Sequence, residues 1–257
     1  MSRSHAAPAL SALVTGIDHV VVAVVDLDAA ARQWDALGFT LSPRGVHSDG
    51  LGTANHTLML EQGYVELLGV VQPTAANAWL RAVLTEGRSL CAVAAGTPDA
   101  KALQAAWQAA GLAAQPAQEF GRPVARPHGV EQARFTTVDL APGAVPGADL
   151  FGCQHHTPQW VWLPELTHHR NGCIAVSAVG LPILVSGLNA WARALGSAAS
   201  EKGDLWLGST TAPSQATSQR LFVATQATLV LRRAAGLRAL PSRHDIDGLN
   251  LIFEDST

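Results

Sequence analysis

The sequence predicts an α+β fold built from a repeated unit of one strand, one helix and about three antiparallel strands. Three stretches share a plan: a short apolar strand, a turn with Asp or Pro, and an Ala-rich amphipathic helix with a Trp shortly before a Gly. They begin at Ile17, Leu90 and Cys173, and Trp34 with Gly38, Trp107 with Gly111 and Trp191 with Gly196 lie four, four and five residues apart. After each helix comes strand pattern rather than a further strand and helix, which argues against a doubly wound sheet.

In the first unit, residues 17–24 read as strand, Asp28 as a helix N-cap and Gly38 as the stop, since a residue past a helix end favours the left-handed backbone that Gly adopts freely. Strands succeed it at 39–43, 55–60 and 64–70, the last two joined by a hairpin turn at Gly63. The second unit has Thr97 or Asp99 as cap and strands at 118–124, 133–140 and 150–156. The third matches in outline, with strands at 204–207, 221–225, 227–231 and 249–253. The expected division is a disordered leader over 1–15, units over 16–72 and 89–172, and a degenerate third unit over 173–257.

Composition narrows the class. With 257 residues, 48% hydrophobic and 14% charged, the chain can bury a large core. A net charge of -3 leaves no electrostatic footprint for nucleic acid or an anionic membrane. Three cysteines without a C-x-x-C pair read as buried, reduced thiols, which suits a cytoplasmic setting. Residues 172–192 carry no charge and approach the length of a bilayer span, but Gly180, Pro182, Gly187 and Asn189 interrupt them, so a buried strand turning into a helix accounts for them better. Serine-hydrolase, zincin, Walker and dinucleotide motifs are absent from the sequence.

Alternation sorts the side chains of the first unit. His19, Val21 and Ala23 share one face of their strand, and Val20, Val22 and Val24 share the other, which belongs under the helix. The same reasoning turns Tyr64, Glu66 and Leu68 toward the side of His19. An ionised Glu on an apolar strand needs a cation, an Arg or a hydrogen-bonding ligand, and Arg44 or Arg126 are the candidate pairing partners.

The segments D-H-V-V-V-A-V-V-D-L with His19, Y-V-E-L-L with Glu66, and C-Q-H-H-T-P-Q-W-V-W-L-P-E with H-H-R-N-G, residues 153–172, resemble the vicinal oxygen chelate superfamily, and within it the bacterial glyoxalase-like domain proteins. That resemblance implies paired βαβββ modules closing into a cupped, incomplete β-barrel around a metal or ligand. It implies a divalent metal ion, Zn, Fe(II), Mn or Ni, held by His19, Glu66 and a third ligand, with Glu66 also catalytic. Positions matching His19 in the other units are Ala92 and Val176, which cannot ligate. The third ligand then falls to the strand ending Gln154-His155-His156. The resemblance favours His155; alternation favours Gln154 and His156 in the cup, unless a bulge near Gly152 swaps the faces.

Tyr64, Gln154, His156, Trp160 and Trp162 are expected to line the substrate pocket, the two Trp rings on one side of an extended segment or packed in the seam between modules. His169, with His168 beside it, is the candidate acid or base at the mouth, against the plainer reading of surface histidines next to Arg170. Asn55 and His56 are candidate ligand contacts. Two functions are consistent with these residues: a metal-assisted lyase, isomerase or extradiol-type dioxygenase acting on a small oxygen-rich substrate, or a metal-free module that sequesters a small molecule. The leftover third unit caps the pair or joins its copy in a homodimer; the sequence leaves both open.

Overall fold

The computed structural model describes residues 9–207, 219–235, 243–246 and 248–256. It opens with a helical turn, α1 (Leu10–Leu13), followed by β1 (Gly16–Val24), α2 (Leu27–Ala36), β2 (Gly45–Val46), β3 (Thr53–Met59) and β4 (Tyr64–Val70). A linking helix α3 (Ala78–Thr85) leads to β5 (Leu90–Gly96), α4 (Ala100–Ala109), β6 (Gln118–Arg126), β7 (Gly129–Asp139) and β8 (Asp149–His155). The remainder is β9 (Cys173–Leu181), α5 (Leu188–Leu195), β10 (Asp204–Leu207), β11 (Gln219–Val223), β12 (Thr228–Arg233), β13 (Arg243–Ile246) and β14 (Leu249–Asp255).

Helix starts and stops obey local chemistry. The side chain of Asp26, two residues ahead of the expected Asp28, accepts from the Ala29 N–H at 2.9 Å, and Asp99 caps α4 through Ala102 N in the same way. The glycines closing the three Trp-bearing helices all have positive φ, 89° at Gly38, 74° at Gly111 and 64° at Gly196. Two expectations change. Residues 10–15, expected within a disordered leader, are tied down: Leu13 is buried and Thr15 N donates to Gly96 O. The strand expected at 39–43 is replaced by a connection, and pairing begins at Gly45 opposite Asn55.

β1 to β8 form one sheet of order β2-β3-β4-β1-β5-β8-β7-β6. Within each unit the first and last strands are parallel, β1 with β4 and β5 with β8, and the units join through antiparallel β1 and β5. β9 to β14 form a second sheet of order β10-β11-β9-β12-β14-β13. Strands expected to complete one third unit, around 227–231 and 249–253, instead lie across β9 from β11 and pair with each other in parallel. Only nine residues separate Arg233 from Arg243, too few for the helix and added strand of the first-sheet units.

Trp34, Trp107 and Trp191 are fully buried in a single core that α2, α4 and α5 share with one face of each sheet. Val20, Val22 and Val24 lie in this core as alternation predicts, whereas Val21 and Ala23 belong to a separate cluster on the opposite, concave side. There Leu80 and Val83 of α3 pack on Val21, Ala23, Leu68, Cys91 and Ala92. Residues 172–192 are β9, a turn and the start of α5, and among the described residues no helix is long and apolar enough to cross a membrane.

Candidate functional site

The concave side of the first sheet gathers the chemistry. On β1, Ile17 pairs with Ala95 and the next pairing is His19 with Ala94, so Asp18 is the extra residue of a β-bulge. Ile17 and Val20 both stay in the helix-side core, while Asp18 and His19 both turn into the cup. His19 is 3% exposed; its Nδ1–H donates to Asp18 Oδ1 at 2.7 Å. Tyr64 stacks on its ring with centroids 4.2 Å apart, and Phe151 meets it edge-on at 5.3 Å.

His155 approaches the same carboxylate from β8. Its Nε2 lies 3.0 Å from each Asp18 oxygen and 3.6 Å from Cys153 Sγ, and its Nδ1 is buried without a hydrogen-bond partner among the described residues. Asp18 therefore accepts from two imidazoles, from Nδ1–H of His19 and from Nε2–H of His155. Burial by itself would raise the Asp18 carboxyl, but the hydrogen bonds from His155 and His19 outweigh it and hold the group at about 2, so it is an anion. Burial, reinforced by Asp18 and Glu66, pushes the Cys153 thiol well up; burial and Asp18 do the same to the Tyr64 hydroxyl.

Glu66, opposite Val21 on β4, completes the group. Its Oε1 accepts from Asn55 Nδ2 at 2.7 Å, and its Oε2 faces His19 Nε2 at 3.9 Å, with side chains 15% and 4% exposed. Arg44 and Arg126, the alternative partners, are bound to Asp28 and Glu165.

His19, Glu66, Tyr64 and His155 thus share one hollow, and Asn55 supports it. On β8 the observed faces reverse the alternation-based expectation: Phe151, Cys153 and His155 face the cup, because that hollow is itself apolar. Gln154 faces the helices, where its Oε1 accepts from Ala100 N and its Nε2 donates to Pro98 O, so it caps α4 rather than lining the pocket. His156 bonds Thr136 Oγ1 at 2.7 Å and lines a separate shallow cavity of about 460 Å³ with Glu119, Phe120, Gln132 and Arg134.

The segment after β8 folds over the cup. Trp160 ends a 3-10 turn, Pro158–Trp160, and the chain stays folded back at Trp162, whose N–H donates to Pro158 O, rather than running extended. Trp162 donates from Nε1 to Leu60 O and packs edge-on against His155 and Tyr64, while Trp160 is partly buried against the same apolar cluster. His169 is not at the mouth as an acid or base. Its Nδ1 accepts from Thr40 N at 3.0 Å and its Nε2–H donates to Met59 O at 2.8 Å, so both nitrogens are spent on backbone, and burial lowers its proton affinity. His168 bonds Pro164 O and His56 bonds Ser42 O.

Sequence reasoning misses Asp18 and Cys153. Alternation assigns Asp18 to the face opposite His19, and only the bulge reverses that. Cys153 reads along the chain as an inert buried thiol; its spacing of two from His155 is the one available signal.

A paired-module sheet curled around a His- and carboxylate-bearing hollow defines a vicinal oxygen chelate fold. The chain belongs to the glyoxalase-like domain family of that superfamily, whose family model matches residues 17–198. A hypothetical protein from Staphylococcus aureus shares the fold of nearly the whole chain, at 13% identity and a TM-score of 0.72, covering 94% of this chain and 99% of that one. Methylmalonyl-CoA epimerase from Streptomyces coelicolor aligns at 22% identity and TM-score 0.43, over 56% of this chain and 96% of its own. The Mycobacterium tuberculosis epimerase aligns at 21% and 0.43, over 56% and 89%. No curated protein matches the sequence.

Proposed function

We propose that the cup binds a small, oxygen-rich organic molecule and that the protein is a metal-assisted enzyme of the lyase or isomerase kind. The observation that carries this is the chain Glu66, His19, Asp18, His155. One buried carboxylate orients two imidazoles, and a second carboxylate, partly open to solvent, faces His19 Nε2 at 3.9 Å. Two carboxylates and two imidazoles gathered in an apolar hollow offer the oxygen and nitrogen donors that a divalent cation takes.

The donor set fits a divalent ion. Asp18, Cys153 and His155 offer ligand atoms all within 4.8 Å of one another, and His19 and Glu66 adjoin them. The ligand set expected from the sequence is His19, Glu66 and His155; the nitrogen of His155 lies against Asp18 rather than Glu66, so the ion is assigned to the cluster as a whole. When bound, a Zn, Fe(II), Mn or Ni ion supplies Lewis-acid stabilisation of oxyanion charge on a chelated substrate. Glu66 takes or returns a proton, Asn55 holds it in place through Oε1, and Asp18 fixes the His19 ring through Nδ1 so that Nε2 faces Glu66. Trp162, Tyr64 and Phe151 limit water around the reacting groups. This chain of proton-carrying groups favours lyase or isomerase chemistry over extradiol-type oxygenation.

Protein purified without added metal should retain a stoichiometric divalent ion. It should also catalyse deuterium exchange at carbon next to carbonyl in a panel of α-hydroxycarbonyl compounds, lost with EDTA and in Glu66→Gln. Absence of both retained metal and exchange would overturn the proposal. The aromatic lining of Tyr64, Phe135, Phe151 and Trp162 favours a second reading, a metal-free binding module. Tryptophan quenching by aromatic ligands that persists in EDTA, without exchange, would establish it.

A further inference from the structure

The structure assigns Cys153 a role that the His- and carboxylate-based expectation did not contain: we propose that its thiolate is a metal ligand, with Asp18 and His155. This rests on the reading above that the cup holds a divalent ion, and goes further by naming the donor atoms and the class of ion.

The geometry converges on one point. Cys153 Sγ lies 3.6 Å from His155 Nε2, and that nitrogen lies 3.0 Å from both Asp18 oxygens. Ligand atoms around a tetrahedral ion with bonds of about 2.0 to 2.3 Å stand roughly 3.3 to 3.7 Å apart, so the two edges at His155 Nε2 need shifts of a few tenths of an ångström, and the third edge, between Cys153 and Asp18, lies within 4.8 Å. His155 is the second indication. Its side chain is 9% exposed and its Nε2 points at both Asp18 and Cys153, so an ion held by them takes up that nitrogen once its proton moves to Nδ1, which has no hydrogen-bond partner among the described residues. By contrast, His19 Nε2 and Glu66 Oε2 supply only a pair, with Glu66 Oε1 already engaged by Asn55.

Charge balance supports the same set. A carboxylate and a thiolate neutralise a divalent cation, so the centre enters the apolar cup without net charge. On binding, the Cys153 S–H bond breaks, its proton goes to solvent, and sulfur donates the freed pair to the ion. Sulfur selects borderline-soft ions, zinc or cobalt, over magnesium, calcium or manganese. His19 then becomes the outer partner of a metal-bound carboxylate, and Glu66, unligated at the more open end, remains available for proton transfer.

Cobalt substitution of the full chain tests this without any substrate. Wild-type protein titrated with Co2+ should show visible bands of a tetrahedral ion together with a near-ultraviolet thiolate-to-cobalt charge-transfer band, releasing one proton per ion for the single thiol. Cys153→Ser should lose the near-ultraviolet band and bind cobalt more weakly by more than about 10-fold, the lower end for loss of even an outer partner. Should that variant fail to fold, Cys91→Ser/Cys173→Ser supplies the check: the band must survive, and its loss there would overturn the proposal. Cobalt bound in the wild type without a charge-transfer band would overturn the thiolate ligand while leaving a metal in the cup. No cobalt or zinc retained after dialysis would overturn both.

Discussion

The first and second sheets share one strand plan and carry different chemistry. The order β3-β4-β1-β5-β8-β7 in the first corresponds to β10-β11-β9-β12-β14-β13 in the second. Each has a central antiparallel pair flanked by parallel neighbours, then antiparallel outer strands. In the first sheet, Asp18 and Glu66 on the face away from the core meet imidazoles and an amide. In the second, Leu205, Leu207, Leu221, Leu229, Leu231, Leu249, Leu251 and Phe253 fill the shared core, leaving Arg220, Arg232, Asp204 and Glu254 on the outer face. There the charges pair, Arg220 with Asp204 at 3.0 Å and Arg232 with Glu254 at 3.3 Å. On the outer face of the second sheet each of these carboxylates is matched to a guanidinium, whereas in the cup of the first Asp18 and Glu66 meet histidines and an amide. The scaffold is common to both sheets, and the site belongs to one.

The largest effect that would test this contrast is on catalysis. Glu66→Gln should lower deuterium exchange by about 10²- to 10⁴-fold, the usual range for a lost acid or base. An Arg220→Ala/Phe222→Ala variant of the second sheet should leave exchange unchanged, and an equal loss there would break the distinction.

Next come the three repeat tryptophans at the junction of the sheets. Trp107 Nε1 donates to Ala194 O and Trp191 Nε1 to Pro146 O, whereas Trp34 Nε1 is buried without a partner among the described residues. Phe at 107 or 191 should therefore cost about 1 to 2 kcal/mol more than Phe at 34, beyond the shared loss of packing, in urea melts. Equal losses would mean that the indole N–H bonds to the α5 side of the core add nothing.

His169, which ties the strap over the cup to the first sheet, should matter less. His169→Ala should cost about 1 to 2 kcal/mol through its two backbone hydrogen bonds. Its folded proton affinity lies below the ordinary 6.5, so the unfolded chain takes up a proton first as pH falls. The stability this histidine contributes is complete above 6.5 and lost as pH drops from there toward its folded value, and the variant should show a correspondingly flatter dependence. The smallest effect is expected on the second sheet: Arg220→Ala, breaking a partly exposed pair, should shift stability by at most about 1 kcal/mol.

Much of the scaffold is legible along the chain. Strand and helix periods, the Trp and Gly spacing and the valine face of β1 all express local rules, and each reappears in the packed molecule. His19 and Glu66 are legible for the same reason, because alternation is a property of a single strand. Asp18 is not, since a bulge is a mismatch between β1 and β5 that neither strand shows alone. The faces of β8 escape alternation because apolar Phe151 and Cys153 point by type to the helix-side core, while the hollow they line is apolar too. His169 has the residue type of a free acid or base, and only the packed strap shows Thr40 and Met59 occupying both of its nitrogens.

By itself the sequence determined the unit: the alternation of strand and helix, the glycine stops of the Trp-bearing helices, and the valine face of β1 that goes under its helix. These depend on interactions within a few residues. Tertiary structure decided that the last third of the chain forms a second sheet of two shortened units, and that one carboxylate on β1 binds imidazoles from β1 and β8. Both depend on contacts between segments far apart along the chain, whose pairing is set by burial and register rather than by local pattern.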